Sequence, residues 1–127
     1  MRTVLLVDDD PVVLVLLTAL LQAEGWQVAE ASSLADAEQA LQAAAPDVVV
    51  LDEQLPDGRG TALAARLADL APRAHVVLHS GGRSAGLPPG VHAVVPKAAS
   101  GALLDHLAVH RLRDRGAGDQ ARDQARD

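Results

Sequence analysis

The apolar residues of this chain fall into short uninterrupted runs that alternate with longer amphipathic segments. Three of the runs contain only Val and Leu, at residues 4–7, 48–51 and 76–78. Uninterrupted runs of this length are typical of strands that are covered on both faces of a sheet. Two further stretches, "QVAEA" at residues 27–31 and "VHAVV" at residues 91–95, predict a second and a fifth strand.

The segments between these strands have the spacing and the end signals of helices. Asp10 can cap a first helix that has Pro11 at its first position and ends near Gly25. A second helix follows Ser32 or Ser33. The residues expected to face the core are Val13, Leu16, Leu17, Leu20 and Leu21 in the first helix, Leu34, Ala37 and Leu41 in the second, and Leu63, Leu67 and Leu70 in the third.

Strands that alternate with helices indicate an α/β domain, in which helices pack on both faces of a parallel sheet. A last helix, "SGALLDHLAVHRL", completes the pattern. We expect one domain over residues 1–110 and a polar, disordered tail over residues 111–127, where the sequence nearly repeats itself. Ligands of such sheets bind beyond the carboxyl ends of the strands, where the strand order reverses.

Composition narrows the possible functions. The chain of 127 residues has one aromatic residue, Trp26, no Cys and a formal net charge of −6. These features argue against base stacking, against binding a phosphate backbone, and against disulfides or thiolate chemistry. The first apolar run stops after Val7, which is too short for a signal peptide, and the longest apolar stretch, residues 12–17, is far too short to span a membrane. We therefore expect a cytoplasmic protein whose partners include neither nucleic acid nor a membrane.

Chemically active side chains stand where the predicted strands end. Asp8 and Asp9 follow the first strand, Asp52 ends the third, Ser80 ends the fourth, and Lys97 follows the fifth. Each has an ordinary explanation when taken alone, because acids favour helix N-termini, Ser and Asp favour turns, and lysines are commonly solvated. Their shared placement at one edge of the sheet instead predicts a clustered site.

Such a cluster has a definite chemistry. Crowded carboxylates raise one another's pKa values unless a cation offsets their charge, and Mg²⁺ prefers oxygen ligands. With Mg²⁺ held by Asp8 and Asp9, Asp52 can stay ionised and attack a phosphoryl group to form an aspartyl phosphate. Lys97 would neutralise phosphoryl oxygens, and Ser80 could donate a hydrogen bond to one of them.

Four motifs in this order, "LLVDDDP", "PDVVVLDEQLPDGRG", "VVLHSG" and "AVVPKA", resemble the receiver domain of two-component response regulators. The resemblance covers roughly residues 3–109. It implies a CheY-like, flavodoxin-like fold, in which a doubly wound five-stranded parallel sheet has the strand order 2-1-3-4-5.

The resemblance also implies roles for individual residues. The matching positions are the phosphoacceptor Asp52, the Mg²⁺ site formed by Asp8, Asp9, Asp52 and the backbone carbonyl of Gln54, the switch hydroxyl of Ser80, and the lysine Lys97. The implied phosphodonor is a histidine kinase or a phosphotransfer protein. The resemblance further implies that the receiver catalyses its own Mg²⁺-dependent phosphorylation and dephosphorylation and is not a conventional enzyme.

Two features depart from the family pattern. Receivers commonly place Tyr or Phe at the fifth-strand switch position, where this chain has Val94. Residues 81–90, "GGRSAGLPPG", are short and rich in Gly and Pro where a full fourth helix is expected. We therefore predict a short or missing fourth helix and an atypical output face.

The first helix offers a candidate partner face. Leu14 and Val15 are apolar but fall off the predicted core face. They are either scattered surface hydrophobicity or a docking patch. In the family this helix often lies against the helical bundle of the kinase, so the patch could bind that partner or a second copy of this chain.

The sequence thus predicts a single-domain response regulator that accepts a phosphoryl group on Asp52 and signals by protein–protein contact. The main alternative is a non-switching receiver-like scaffold or dimerisation module, which Val94 and the short segment after Ser80 favour. A third possibility is a phosphatase-like enzyme with Asp52 as covalent nucleophile, for which no second acid stands out as the general acid.

Overall fold

The strands and helices lie largely where the apolar pattern predicts them. The computed structural model describes residues 2–81, 86–97 and 101–108. In chain order its elements are β1 (Thr3–Val7), α1 (Pro11–Ala23), β2 (Gln27–Ala31), α2 (Leu34–Ala43), β3 (Val48–Asp52), β4 (Gln54–Leu55), β5 (Gly58–Arg59), α3 (Gly60–Leu70), β6 (His75–Ser80) and β7 (Ala93–Pro96). A last helix covers residues 101–108. The predicted tail over residues 111–127 lies outside the described residues.

Five strands form one parallel sheet in the order β2-β1-β3-β6-β7. The remaining two strands, β4 and β5, form a small antiparallel pair of their own. Without that pair the order is 2-1-3-4-5, so the predicted flavodoxin-like α/β fold is confirmed. The strand order reverses between β1 and β3, and the ends of these two strands therefore flank the switch point where ligands of such sheets bind.

The sheet separates two apolar layers, because successive side chains of a strand point to opposite faces. Leu5 and Val7 of β1 belong to the core on the side of α2 and α3. Val4 and Leu6 belong to the core on the side of α1 and the last helix. Since helices cover both faces, β3 is buried along its whole length, which explains its uninterrupted apolar run.

The ends of α1 and α2 follow the predicted capping chemistry. Asp10 caps α1 by accepting a hydrogen bond from Val12 N at 2.9 Å, and Gly25 follows α1 with a φ of 94°. Of the two serines proposed for α2, Ser33 is the N-cap, and its Oγ accepts from Asp36 N at 3.1 Å. Local sequence therefore placed both ends of α1 and narrowed the start of α2 to two residues.

The buried face of α1 differs from the predicted one. Leu14, Leu17 and Leu21 are buried, whereas Leu16 and Leu20 are exposed. The predictions that Leu16 and Leu20 face the core and that Leu14 lies off it were wrong. Because α1 is apolar at most positions, its sequence could not show which face turns inward; packing against the sheet decides that.

Three smaller differences concern the ends of elements. The segment "EQLPDGRG", read as a loop, contains the short pair β4–β5. Leu70 is exposed rather than buried, because it is the last residue of α3. Strand β7 begins at Ala93 rather than at Val91.

None of the helices in the described ranges has the length and apolar character that crossing a membrane requires.

The connection between β6 and β7 lies against α3. Residues 81 and 86–92, the described part of this connection, contain no helix, in agreement with the predicted short or missing fourth helix. Gly90 has a φ of 81°, and a Cβ added to it would lie 2.0 Å from the carbonyl oxygen of Ala64 in α3. Only a glycine allows this close approach of the two backbones.

Candidate functional site

The carboxyl ends of β1, β3, β6 and β7 lie at one edge of the sheet, because these strands are parallel. In the register of the sheet, Asp52 pairs with His79, and Ser80 pairs with Pro96. Asp8 directly follows β1, the other neighbour of β3. The topology therefore brings strand-end side chains together from distant parts of the sequence.

Three carboxylates form an acidic cluster at this edge. One carboxylate oxygen from each of Asp8, Asp9 and Asp52 lies within 4.8 Å of the other two. Asp8 and Asp52 are only 4% and 7% exposed, whereas Asp9 is exposed to solvent. Negative charges this close together and partly removed from water repel one another, so the acidic cluster requires a neighbouring cation.

Lys97 supplies a positive charge to the acidic cluster. Its Nζ lies 3.0 Å from Asp52 Oδ1 and 3.3 Å from Asp8 Oδ2. Partial burial opposes the charged form of Lys97, but the hydrogen bond to Asp52 and the charges of both acids outweigh this effect and raise its pKa. Lys97 therefore stays protonated and joins the ends of β1 and β3 to the end of β7.

Backbone N–H groups orient two of the acids. Asp10 N donates to Asp8 Oδ1 at 2.9 Å, so the start of α1 holds the Asp8 carboxylate in place. Gln54 N lies 3.5 Å from Asp52 Oδ1, at the long limit for a hydrogen bond. The backbone of Gln54 thus runs beside the acidic cluster, and the metal contact of its carbonyl oxygen stays a prediction.

The acidic cluster fits a divalent cation that prefers hard oxygen ligands. Mg²⁺ is usually held by one or two carboxylates together with water and phosphate oxygens. Asp8, Asp9 and Asp52 supply carboxylate oxygens close enough to share one ion, and exposed Asp9 leaves access from solvent. The charge and chemistry of these ligands match the predicted Mg²⁺ cofactor.

Ser80 lies at the same edge, and the structure assigns its hydroxyl a partner that the sequence did not suggest. Ser80 Oγ donates to Glu53 Oε2 at 2.5 Å. Glu53 immediately follows Asp52 in the chain and was missed in the sequence reading. Its position next to a strand-end aspartate was the available signal, but only the fold shows that the carboxylate turns towards β6.

His79 is the other buried polar residue beside the acidic cluster. Burial lowers its pKa, the positive charge of Lys97 lowers it further, and the charges of Asp8 and Asp52 oppose both effects only in part. A neutral imidazole therefore lies beside Asp52 in β6. Neutral buried surroundings strengthen the electrostatic interactions within the acidic cluster, because they screen charges less than water does.

The first turn of α3 approaches the acidic cluster through Gly60. A Cβ added to Gly60 would lie 2.0 Å from the backbone carbonyl oxygen of Asp52. Gly60 N also donates to Glu53 O at 2.9 Å. A glycine at this position therefore lets α3 begin directly against the residue that ends β3.

The predicted partner face on α1 is only partly exposed. Leu14 is buried in the core between α1 and the sheet, so it cannot contribute to a surface. Val15 is 69% exposed, and Val12, one turn earlier, is 71% exposed. We call the exposed residues Val12, Val15, Leu16 and Leu20 the α1 stripe. The stripe begins at Val12, in the first turn of α1, and α1 follows Asp8 and Asp9 of the acidic cluster in the chain.

Comparison with known proteins identifies the class that this fold and site define. The family model described as "Response regulator receiver domain" matches residues 4–112. The chain therefore belongs to the response regulator receiver domain family of two-component systems, and the predicted resemblance is confirmed. Histidine kinases or phosphotransfer proteins phosphorylate receiver domains of this family.

Individual relatives agree with this assignment. A stretch of 58 residues is 45% identical to the probable transcriptional regulatory protein TcrX of Mycobacterium tuberculosis. That stretch covers 46% of this chain and only 25% of TcrX. A CheY-like receiver domain protein from Methanospirillum hungatei has the same fold, with a TM-score of 0.81 and 24% identity over 90% of this chain and 95% of that one.

A further solved structure bears on the metal. The response regulator TrrA from Thermotoga maritima, in complex with Mg²⁺ and beryllium fluoride, is 25% identical to this chain. The TM-score is 0.70, and the match covers 76% of this chain and 86% of TrrA. The Mg²⁺ cofactor predicted from the acidic cluster is thus the metal found with a member of the same family.

Proposed function

We propose that this chain is a phosphoryl-accepting receiver whose acceptor is Asp52. A carboxylate oxygen of Asp52 attacks the phosphorus of the donor, and the bond between phosphorus and the donor breaks with its electron pair staying on the donor. The observation that carries the proposal is the placement of the Lys97 ammonium between Asp52 and Asp8. The Lys97 ammonium offsets the negative charge of the buried nucleophile and of Asp8, its neighbour in the acidic cluster.

The other site residues act around this acceptor. Asp8 and Asp9, with Asp52, would hold Mg²⁺, which when bound supplies positive charge to the phosphoryl oxygens. Lys97 stabilises the same oxygens from the side of β7. His79, which pairs with Asp52 in the sheet, is buried beside it. Ser80 is the hydroxyl donor that the phosphoryl group would recruit.

Incubation with Mg²⁺ and acetyl phosphate tests the acceptor directly. We expect intact-mass spectrometry to show the addition of one phosphoryl group, stable in acid and labile in base. Asp52→Asn should abolish the addition, and Asp57→Asn should retain it, because Asp57 lies in the nearby β4–β5 turn and outside the acidic cluster. An unmodified wild-type protein, or modification that persists in Asp52→Asn, would contradict the proposal.

We infer that the α1 stripe binds the helical surface of the phosphodonor, a histidine kinase or a phosphotransfer protein. Its four apolar residues share one face of α1, which begins next to the acidic cluster, so a helix packed there would bring its histidine near Asp52. A second copy of this chain is the alternative occupant of the same face.

Val15→Lys separates these two occupants. We expect it to slow phosphorylation by the cognate donor about tenfold, as loss of an interface anchor does, and to leave phosphorylation by acetyl phosphate unchanged. A homodimer across the stripe would instead appear as a concentration-dependent mass in light scattering that Val15→Lys abolishes. Unchanged transfer from the cognate donor would refute the donor-binding role.

Whether phosphorylation changes the conformation of the domain is a separate question. A non-switching scaffold is the alternative, and Val94 is the residue that favours it. Val94 is partly buried against the core on the α3 side, and the neighbouring connection lies against α3 at Gly90. Hydrogen exchange with and without beryllium fluoride tests whether this region switches. Increased protection of residues 86–97 would indicate a phosphorylation-dependent output, whereas an unchanged pattern would favour a non-switching scaffold.

A further inference from the structure

Glu53 and Ser80 form a contact that the proposed phosphoryl chemistry does not use. Glu53 directly follows the acceptor Asp52 at the end of β3, and Ser80 ends the neighbouring strand β6. The Ser80 hydroxyl donates to Glu53 Oε2 at 2.5 Å, and Ser80 is 2% exposed. A buried hydroxyl bonded to a carboxyl oxygen restrains both side chains, because neither can rotate without breaking the hydrogen bond.

The backbone around Ser80 leaves little freedom apart from rotation of the side chain. Ser80 pairs with Pro96 in the sheet, and its carbonyl oxygen accepts a hydrogen bond from Lys97 N at 2.8 Å. A hydroxyl has one hydrogen to donate. Ser80 can therefore donate either to Glu53 or to a phosphoryl oxygen on Asp52, and the second arrangement requires breaking the first.

The charge of Glu53 also disfavours the phosphorylated state, as its hydrogen bond to Ser80 does. A phosphoryl group adds about 1.5 to 2 negative charges near pH 7. Glu53 places a further carboxylate beside an edge that already holds Asp8, Asp9 and Asp52. Lys97, the cation that the described ion pairs place at this edge, is shared between Asp8 and Asp52.

We propose that Glu53 is a positioning residue that holds the Ser80 hydroxyl in the unphosphorylated arrangement and so weakens binding of a phosphoryl group at Asp52. This inference rests on the proposed function of Asp52 as the acceptor. Glu53 competes with the phosphoryl group for one hydrogen, and the outcome depends on which acceptor binds that hydrogen more strongly.

Beryllium fluoride with Mg²⁺, a phosphoryl mimic, provides the test. Its dissociation constant is measured by calorimetry for the wild type, Glu53→Ala, Ser80→Ala and the double variant. We expect Glu53→Ala to tighten binding about tenfold, since a hydrogen bond to a charged group no longer has to be broken. In the Ser80→Ala background the same change should tighten binding only about twofold, which is the remaining effect of charge.

Two further variants isolate the hydroxyl from general effects. Glu53→Gln removes the charge but keeps an acceptor oxygen. Its dissociation constant for beryllium fluoride should therefore lie between those of the wild type and Glu53→Ala. Asp69→Asn removes an exposed acid on α3 and should leave the dissociation constant unchanged. The four proteins of the cycle are also unfolded in urea, where Glu53 and Ser80 should be coupled by at least a threefold change in the unfolding equilibrium constant.

The possible failures are distinct. An equal effect of Glu53→Ala with and without the Ser80 hydroxyl, or weaker binding of beryllium fluoride by Glu53→Ala, would overturn the positioning role and leave Asp52 as the acceptor. Absence of coupling in urea would overturn it independently of any phosphoryl chemistry. Absence of binding in every variant, together with no phosphorylation by acetyl phosphate, would overturn the proposed function itself.

Discussion

The ammonium of Lys97 lies 3.0 Å from Asp52 Oδ1, although Asp52 ends β3, Lys97 directly follows β7, and β6 lies between these two strands. The same ammonium lies 3.3 Å from Asp8 Oδ2, so one cation offsets two buried acids. The stability of the domain is therefore connected to its proposed chemistry. The ion pairs of Lys97 reduce the repulsion between the buried acids, and the same residues would bind the phosphoryl group and its metal.

Removal of the Lys97 charge should destabilise the domain. We expect Lys97→Met to lower the free energy of unfolding at pH 7, without Mg²⁺, by about 1–2 kcal/mol, because two buried carboxylates lose their cation. Arg66→Met, which breaks an exposed pair with Glu38, is the matched control and should cost less than about 1 kcal/mol. Equal losses in urea unfolding would contradict this account of Lys97.

The Lys97 contribution should also depend on pH. Because the folded pKa of Lys97 is raised, its stabilisation is complete below the pKa of an unfolded lysine, about 10.4. It declines as the pH rises through the folded value. The difference between the wild type and Lys97→Met should therefore be constant near neutrality and shrink in strongly alkaline buffer.

Mg²⁺ should stabilise the folded chain through the acidic cluster. At a concentration about 100 times its dissociation constant, a ligand that binds only the folded state adds about 2.7 kcal/mol. We expect Mg²⁺ to raise the thermal midpoint of the wild type, and Asp9→Asn to remove most of the increase. Glu24→Gln, at the other end of α1, should respond like the wild type. A full Mg²⁺ response in Asp9→Asn would exclude Asp9 as a ligand.

Asp57 should make the domain less stable at acidic pH than near neutrality. Its carboxylate accepts hydrogen bonds from Leu34 N and Ala35 N, so it holds the first turn of α2 from the β4–β5 turn. These backbone bonds lower the pKa of Asp57. A lowered folded pKa means that the stabilisation is present above the unfolded pKa, about 3.9, and is lost as the pH falls through the folded value.

The measurement is a comparison of urea midpoints between pH 7 and the acid range. Asp57→Asn should be less stable than the wild type near neutrality, and the two proteins should converge in acid. Asp69→Asn, on the exposed face of α3, should show no such convergence. Parallel pH profiles for the wild type and Asp57→Asn would show that the hydrogen bonds from Leu34 N and Ala35 N to Asp57 do not stabilise α2.

Gly90 should be required for the close contact between the β6–β7 connection and α3. Gly90→Ala places a Cβ against the Ala64 carbonyl oxygen at a positive φ, which should cost about 2 kcal/mol or more of folding stability. At Gly86, in the same connection, an added Cβ meets no atom of the described residues within 4 Å, so Gly86→Ala should change stability by less than about 0.5 kcal/mol. Similar unfolding midpoints for the two variants would contradict the packing described for Gly90.

The parts of the fold that follow from local chemistry were predictable from the sequence. Asp10 and Pro11 mark the start of α1, and the short Val and Leu runs mark β1, β3 and β6, because strands buried on both faces cannot alternate. The alternation of strands and helices then requires a parallel sheet. From that requirement alone, Asp8, Asp52 and Lys97 were expected at one edge.

The side-chain partners within that edge were decided by the tertiary structure. Nothing near Glu53 in the sequence shows that it accepts the Ser80 hydroxyl, since the two residues meet only through the pairing of β3 with β6. His75 and His106 similarly lie with their Nε2 atoms 2.8 Å apart, although they are 31 positions apart in the chain. Such contacts depend on which strands and helices become neighbours.

The sequence by itself determined the kinds of elements, their order, and the set of charged residues gathered at the strand ends. Periodicity and capping are local properties, so they can be read from neighbouring residues. The tertiary structure decided which face of α1 is buried and which acid binds which donor. Almost every residue of α1 is apolar, and carboxylates are alike in sequence; only packing and distance distinguish Leu14 from Leu16, or Glu53 from Asp57.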